Sequence, residues 1–215
     1  MLKIIILDTG NHNAYLLDNG ETKLQIDMGV PFKSLEIIPD FVIYSHKHSD
    51  HFMNEKTYRK KTKVFDFNTK NEAKTLGSYY IQSIPLRHGK EWSNGFIIRD
   101  MKLNEIYIFA IDFSEYRELA KAANLFSVGY QAQITLIMCE LHHSIEILNT
   151  KPEEVIWASR RHCSDELFIA FVSNFEKNNK RKVIALHTNN FLFDFWKFKP
   201  SFKVDFAKKG KTFIL

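Results

Sequence analysis

Residues 45–51 hold three of the nine histidines of the chain together with an aspartate. They read SHKHSDH and follow DFVIY, an apolar run that is typical of a buried strand. Side chains two positions apart in extended backbone point the same way, so His46 and His48 should present their imidazoles together. Imidazoles are the commonest metal ligands, and Asp50 beside His51 adds the negative charge that a divalent ion needs. The stretch predicts a metal site at the end of a strand, with a histidine-rich polar loop as the alternative.

The composition predicts one globular domain that covers residues 1–215. Hydrophobic residues make up 45% of the 215 residues, which is average for globular proteins. No run of about eighteen apolar residues occurs, so we expect no membrane span. The N-terminal residues MLKIIILDTG are typical of a first strand and not of a signal peptide. The two cysteines, Cys139 and Cys163, lack a disulfide or metal spacing, which favours a reducing cytoplasm.

The formal net charge of +5 comes from many lysines and arginines. They recur in RKKTK (59–63), SRRH (159–162), KNNKRK (177–182) and AKKGK (207–211). A basic surface favours a polyanionic partner such as nucleic acid. Charge alone favours the alternative of solvated loops, because basic patches are common.

The element pattern is mixed, with strands first and then helices alternating with strands. Asp-Asn-Gly at 18–20 is a hairpin turn signal between two strand-like runs. Helices are predicted over residues 30–38, 113–123 and 165–175, the last one opened by Ser164. We predict that the C-terminal residues form a pair of strands turned at KKGK. The fold class predicted is therefore α/β, in the broad sense that includes α+β.

The motif SHKHSDH resembles the (S/T)HxHxDH signature of the metallo-β-lactamase superfamily. Later stretches follow the order of that family over about residues 4 to 190: GNHNAYLLDNGETKLQIDMG, PLRHG, FAIDFS and ALHTNN. The resemblance implies a four-layer αββα sandwich with a dinuclear metal site at one edge.

The resemblance also implies the ligands of two divalent ions. His46, His48 and His88 would bind one ion, Asp50, His51 and His187 would bind the other, and Asp112 would bridge them. A water or hydroxide between the ions would be the nucleophile. Zinc suits this imidazole-rich set, and manganese or iron are also accepted by sites that contain carboxylates.

The second half of the chain resembles one branch of the family, the small WalJ/YycJ-like proteins that include phage members. The resemblance lies in CELHHS (139–144), ASRRHCSDE (158–166) and IALHTNN (184–190). It implies that His162 lies near the reacting phosphate as a proton donor and that Glu140 orients it. The catalytic residues predicted are therefore Asp50, Glu140 and His162. The chain departs from the pattern at Arg161 (usually glycine), Cys163 (usually leucine) and Gly89 (often aspartate).

Several residues keep two interpretations. His142 and His143 are expected to serve in surface or core packing, although one of them could touch the site, and His12 is expected in a turn. Arg160 and Arg161 could contact phosphates or form a solvated pair. Cys163 is disfavoured as a nucleophile, because a metal-bound hydroxide would already serve.

The function that the sequence predicts is a metal-dependent hydrolase. We expect a cytoplasmic phosphodiesterase or nuclease that acts on DNA or RNA. The alternatives are an esterase, thioesterase or lactonase of the same fold that acts on a small molecule, and a non-catalytic nucleic-acid-binding module. Retention of all seven predicted ligands disfavours the binding module.

Overall fold

The computed structural model describes residues 1–67, 71–175 and 180–215, so residues 177–179 of the basic stretch KNNKRK lie outside it. The strands are β1 (Lys3–Asp8), β2 (Ala14–Asp18), β3 (Lys23–Ile26), β4 (Phe41–Ile43), β5 (Lys63–Phe65), β6 (Ala73–Leu76), β7 (Tyr79–His88), β8 (Glu91–Asp100), β9 (Glu105–Ala110), β10 (Gln133–Glu140), β11 (Lys182–Leu186), β12 (Asp205–Phe206) and β13 (Thr212–Ile214). The α-helices are α1 (Ser49–Phe52), α2 (Glu55–Lys61), α3 (Arg117–Tyr130), α4 (Ile145–Leu148), α5 (Glu153–Ser159) and α6 (Asp165–Ser173). No helix in the described part of the chain is long and apolar enough to cross a membrane.

The strands form two sheets. The first has the order β13-β1-β2-β3-β4-β5 and the second β12-β11-β10-β9-β8-β7-β6. Strands β3, β4 and β5 are parallel to one another, and so are β9, β10 and β11. Strand β7 runs in the same direction as β9, because both are antiparallel to β8. The carboxyl ends of these strands therefore meet at one edge of the molecule.

Three apolar clusters hold the layers together. Alternate side chains of β9 serve two of them, since Tyr107 and Phe109 face the first sheet while Ile106 and Ile108 face the helices. The helices over the second sheet are α3 and α6, which contribute Leu119, Ala123, Phe168 and Phe171. Tyr58 of α2 packs on the outer face of the first sheet. The predicted four-layer αββα sandwich is confirmed.

Two local predictions are also confirmed. Strands β2 and β3 pair antiparallel across the Asp-Asn-Gly turn, where Gly20 has φ of +81° and donates its N–H to Asp18 Oδ1 over 2.8 Å. Ser164 begins α6, because its Oγ accepts the N–H of Leu167 over 3.2 Å.

Two helix predictions need correction. Residues 30–38 form only a 3₁₀ turn, Phe32–Ser34, with extended backbone at Pro31 and Leu35. Isoleucines at 37 and 38 precede Pro39, and a residue before proline is disfavoured in a helix. The helix predicted at 113–123 begins only at Arg117 and continues to Tyr130. Its predicted first residue, Phe113, donates its N–H instead to a buried carboxylate, described below.

The C-terminal prediction of paired strands is wrong. Strands β12 and β13 flank the turn KKGK but belong to different sheets, with β12 parallel to β11 and β13 antiparallel to β1. The turn itself is bonded to β1. Gly210 N–H donates to Ile6 O over 2.7 Å, and Ile6 N–H donates to Lys211 O over 2.9 Å. These bonds carry the chain from one sheet to the other.

Candidate metal centre

The residues predicted for the site gather at the common edge of the two sheets. Each follows or ends a strand whose carboxyl end lies there, apart from His162, which precedes α6. The positions are as follows: His46, His48, Asp50 and His51 after β4, His88 at the end of β7, Asp112 after β9, Glu140 at the end of β10, and His187 after β11. The parallel register brings together residues that are far apart in sequence.

The first predicted ligand group is assembled in full. His46, His48, His88 and Asp112 each offer a ligand atom, and these atoms lie within 4.8 Å of one another. Nε2 of His46 lies 3.4 Å and Nε2 of His88 lies 3.7 Å from Asp112 Oδ2. These are the three histidines predicted for one ion together with the predicted bridging aspartate.

The second predicted group is assembled only in part. Asp50, His51 and Asp112 form a close group, in which His51 Nε2 lies 3.0 Å from Asp50 Oδ2 and 3.5 Å from Asp112 Oδ2. His187, the fourth predicted member, lies in another group with Asp112, Glu140 and His162. Its ring centroid is 6.4 Å from that of His51. Asp112 is the residue common to all three groups.

Glu140 is a fully buried carboxylate that organises the third group. Its Oε2 accepts the backbone N–H groups of Phe113 (3.2 Å) and Cys163 (3.1 Å). Its Oε1 accepts Nδ1–H of His162 over 2.6 Å. Burial lowers the pKa of His162, but Glu140 and Asp112 outweigh burial and raise that pKa to about 10. Glu140 therefore fixes a proton on Nδ1 and orients the other ring nitrogen, Nε2, away from itself.

Four histidines near Asp112 have a ring nitrogen bonded to a protein group, and this bond fixes the orientation of the ring. The partners are Asp27 for His51 Nδ1 (2.7 Å), the carbonyl of Arg161 for His88 Nδ1 (3.1 Å), Ser45 Oγ for His46 Nδ1 (3.0 Å) and Glu91 for His48 Nε2. Nε2 of His46 is buried and has no hydrogen-bond partner. Tetrahedral zinc ligands lie about 3.4 Å apart, given Zn–N distances near 2.1 Å. The nitrogen-to-carboxylate distances and the unpartnered His46 atom fit a divalent ion.

The charges point to the same conclusion. Burial raises the pKa of Asp112, but the surrounding histidines, led by His162 and His187, hold it well below its usual value. Burial lowers the pKa of His51, yet Asp27 and the neighbouring aspartates raise it well above the usual value. Burial lowers the pKa of His88 to about 4, which keeps that imidazole neutral and able to bind a metal. Three carboxylates of the centre, Asp27, Asp112 and Glu140, are buried, and buried charges are generally paired or bound to a metal.

Three residues of the site have left-handed backbone: Asp27 (φ 65°), Asp112 (φ 52°) and His187 (φ 50°). Residues with a side chain adopt this conformation rarely, and it costs of order 1–3 kcal/mol each. Asp27 and His187 come directly after β3 and β11, and Asp112 comes two residues after the end of β9. Such strain is typical of functional sites.

Sequence reasoning missed three residues that support the motif. Asp27 is fully buried and, besides His51, accepts the N–H of Ser45 over 2.7 Å. Asn13 Nδ2 donates to Asp50 Oδ2 over 3.0 Å. Gly29 allows the close backbone approach, because a Cβ there would lie 2.2 Å from Asp50 O. The sequence signal for these three residues lies in the stretches NHN (11–13) and DMG (27–29). Both stretches belong to the opening residues that resemble the family, but neither suggests a specific contact.

The three unassigned histidines differ in their surroundings. The ring of His142 stacks on that of His162, with centroids 4.3 Å apart and an interplanar angle of 17°. Burial lowers the pKa of His142 to about 2 and that of His143 to about 4, so both are neutral. His142 is thus the one that touches the site. His12 is exposed before β2, as expected of a turn residue.

Comparison with known proteins extends over the whole chain at the level of structure. No family model and no curated protein matches the sequence. The metallo-β-lactamase fold protein YhfI from Bacillus subtilis is 16% identical with a TM-score of 0.66, covering 99% of this chain and 98% of its own. Unliganded yeast PDE1 is 11% identical with a TM-score of 0.70, covering 100% and 99%. A diphosphatase from the PhnP family is 13% identical with a TM-score of 0.66, covering 99% and 97%. The chain has the metallo-β-lactamase fold.

Proposed function

We propose that this protein is a metal-dependent phosphodiesterase that cleaves nucleic acid. The observation that carries the proposal is the Glu140–His162 pair beside Asp112, the aspartate shared by the three potential ligand groups among the described residues. The pair places a proton-bearing imidazole 3.5 Å from that aspartate. A diphosphatase among the similar folds gives further support, since it acts on a phosphate compound.

We assign the binding of two divalent ions to the seven residues predicted from the sequence. His46, His48, His88 and Asp112 would hold one ion, and Asp50 and His51 would hold the other together with Asp112. His187, which lies in the group of Asp112, Glu140 and His162, would be the remaining ligand of the second ion. Bound divalent ions lower the pKa of water and neutralise charge on phosphate oxygens. Zinc suits this set of imidazoles and carboxylates best, and manganese is the next candidate.

His162 is the general acid of the proposed reaction. Cleavage forms one P–O bond from water, breaks the P–O bond to the leaving nucleotide oxygen, and requires a proton on that oxygen. Glu140 holds Nδ1–H of His162, so Nε2 is the atom that delivers the proton. Glu140 Oε2 accepts two backbone N–H groups, and these buried hydrogen bonds hold the Glu140–His162 pair in position. Asp50 takes part in the reaction as a ligand of the second ion, together with His51 and Asp112.

The nucleic-acid part of the proposal rests on the basic residues beside the site. Arg160 and Arg161 directly precede His162 and are exposed. Arginine side chains bind phosphate oxygens through paired hydrogen bonds. We also assign the reaction to the cytoplasm, because both cysteines are free, buried thiols.

The test is an activity panel on the purified protein loaded with Zn²⁺ or Mn²⁺. We expect cleavage of labelled DNA or RNA and of bis-p-nitrophenyl phosphate, and no comparable turnover of a thioester or a lactone. Elemental analysis should find two ions per chain. Turnover of the thioester or lactone alone would replace the proposal with a small-molecule hydrolase, and absence of metal after reconstitution would overturn it.

A further inference from the structure

All three tryptophans of the chain are exposed, which is unusual for a side chain that is highly buried on average. Trp157 is 69% exposed, Trp92 is 54% exposed and Trp196 is 90% exposed. The first two lie at the candidate metal centre, and Trp196 lines neither of the clefts described next. A single exposed aromatic side chain is common on protein surfaces, so the significance of Trp157 and Trp92 lies in their position beside the centre.

Trp157 and Trp92 line two clefts that meet at the centre. A cleft of about 490 Å³, the arginine cleft, contains Trp157, Arg160, Arg161, His48 and His88. The other, the strand cleft, has a volume of about 570 Å³ and contains Trp92 and Lys47 together with His46 and His48. His48 and Glu91 belong to both clefts. The candidate metal ligands therefore lie between the two tryptophans.

The arginine cleft carries positive charge that has no acidic partner among the residues that the structure describes. In the described part of the chain, no ion pair involves Lys90, Arg160 or Arg161. The acid in this cleft is Glu91, and its carboxylate is bonded to His48. Three free cations beside an exposed indole match a chain of phosphates with aromatic bases.

The residues of the arginine cleft are held in position relative to the metal ligands. The carbonyl of Arg161 accepts Nδ1–H of His88 over 3.1 Å. Trp157 lies in the last turn of α5, and Arg160 and Arg161 directly follow the end of that helix at Ser159. Gly89 packs against Arg161, since a Cβ there would lie 3.4 Å from Arg161 Cβ. The cleft is thus tied to the site by backbone contacts.

The strand cleft has less free charge and is lined by three aromatic residues, Tyr44, Phe67 and Trp92. Asp66 lines it, but its carboxylate pairs with Arg59. Lys47 lies between the two histidines of the motif and is exposed. Trp92 follows Glu91 in β8, whose pairing with β7 places Trp92 opposite Arg87.

We propose that Trp157 and Trp92 are stacking platforms for bases on the two sides of the cleaved phosphodiester. The substrate class is then single-stranded nucleic acid, because bases of a duplex are already stacked and paired and cannot cover an indole on each side. This assignment rests on the proposed phosphodiesterase function and names its substrate. Base stacking on protein aromatics accepts every base, so sequence preference is weak.

The test measures binding apart from cleavage. The probe is a fluorescein-labelled single strand of about 12 nucleotides, within the span of known single-strand sites, and EDTA prevents turnover. Fluorescence anisotropy compares the full-length wild-type protein with Trp157→Ala and Trp92→Ala, and Trp196→Ala is the matched exposed control. Each of the first two substitutions should weaken binding by about 5- to 150-fold, the range for loss of one stacked base. Trp157→Phe and Trp92→Phe should restore most of it, and Trp196→Ala should bind like wild type.

Two further probes separate stacking from charge. A strand of the same length with abasic sites should bind more weakly and show no difference between wild type and Trp157→Ala. A duplex of the same length should also bind more weakly than the single strand and show no difference between wild type and Trp157→Ala. Each probe is used as DNA and as RNA. Equal binding of the single strand by wild type and both alanine variants would overturn the proposal, as would an equal loss for single strand and duplex.

Failure of the proposed phosphodiesterase activity would be seen in cleavage assays and not in the binding measurements. Metal-loaded wild type would then leave methyl p-nitrophenyl phosphate and the labelled strands intact, whatever the binding measured in EDTA. A protein that binds single strands through the two tryptophans but cleaves none of these esters would refute the proposed activity and keep the stacking sites.

Discussion

The two sheets contribute to the site in different ways. The first sheet supplies His46, His48, Asp50 and His51 from one stretch of seven residues. The second sheet supplies its residues from β7, β9, β10 and β11, and the segment before α6 adds His162. We call these the motif half and the assembled half. The residues of the motif half are near neighbours in the chain and are supported by Asp27 and Asn13, whereas the assembled half depends on the register of parallel strands.

The register of the assembled half is fixed at few points. Glu140 pairs with Leu186 between β10 and β11, and Cys139 pairs with Ala110 between β10 and β9. These pairs set Asp112, Glu140 and His187 at one level. A shift of one residue would turn every side chain of a strand to the other face, so the apolar alternation of β9 also secures the site. Asp112 is the residue at which the two halves meet.

Asp112→Asn should have the largest effect, because Asp112 belongs to both halves. Asparagine tolerates the left-handed backbone at this position, so the loss should come from the carboxylate charge. We expect loss of both ions by elemental analysis and a fall in activity of more than about 100-fold, beyond the usual cost of an outer metal partner. His48→Ala, within the motif half alone, should lose one ion and keep the fold. Two bound ions in Asp112→Asn would show that the halves do not share this residue.

His162→Ala tests the assembled half next. Turnover of nucleic acid should fall by about 10²- to 10⁴-fold, the usual contribution of a general acid, while both ions stay bound. A p-nitrophenyl ester should suffer much less, since its leaving group needs little protonation. His12→Ala is the control, because His12 is exposed before β2. Loss of an ion in His162→Ala would make His162 a ligand, and equal losses on both substrates would reject it as the acid.

Asp27→Asn tests the support of the motif half. Removal of the charge that orients His51 should lower metal affinity by about 10- to 100-fold, measured by competition with a chelating dye. The matched control is Asp100→Asn. Asp100 is equally buried but bonds Asn19 and Tyr107 in another network. The same affinity loss in both variants would point to general destabilisation instead of a specific role.

The smallest change is expected from Arg160→Gln combined with Arg161→Gln. Each lost phosphate contact should flatten the slope of log affinity against log salt by about one unit, so the pair should change it by about two. Lys60→Gln with Lys61→Gln is the control on α2. An unchanged slope in the arginine variant would return both side chains to the solvated pair considered from the sequence.

The sequence predicted that the residues of the motif half would lie together, because they are near neighbours in the chain. Spacing of two between His46 and His48 is enough to bring their rings within 4.3 Å. The order of later histidines and aspartates placed His88, Asp112 and His187 at the same edge. The sequence could not show that His187 lies in a different ligand group from Asp50 and His51. The grouping depends on the directions of side chains at the ends of strands that are not adjacent. Asp27 was missed for a similar reason, since its partner His51 is 24 residues away.

The C-terminal prediction was wrong because the partners of β12 and β13 are distant in sequence. A turn with glycine between two short apolar runs indicates a hairpin when only local pairing is considered. Here the edges of β1 and β11 offer unpaired backbone groups, and each of the two runs pairs with one of them. The competition between a local partner and two distant sheet edges is invisible in a single sequence.

This tail arrangement also bears on association between copies of the chain. Each sheet ends, on this side, in a strand of only two or three residues, β12 and β13. The turn between them carries Lys208, Lys209 and Lys211, and Lys209 pairs with Asp8. Short edges flanked by lysines resist the addition of a strand from another molecule. The turn KKGK therefore places lysines beside the edge strands β12 and β13 and disfavours the pairing of a further strand at these two edges.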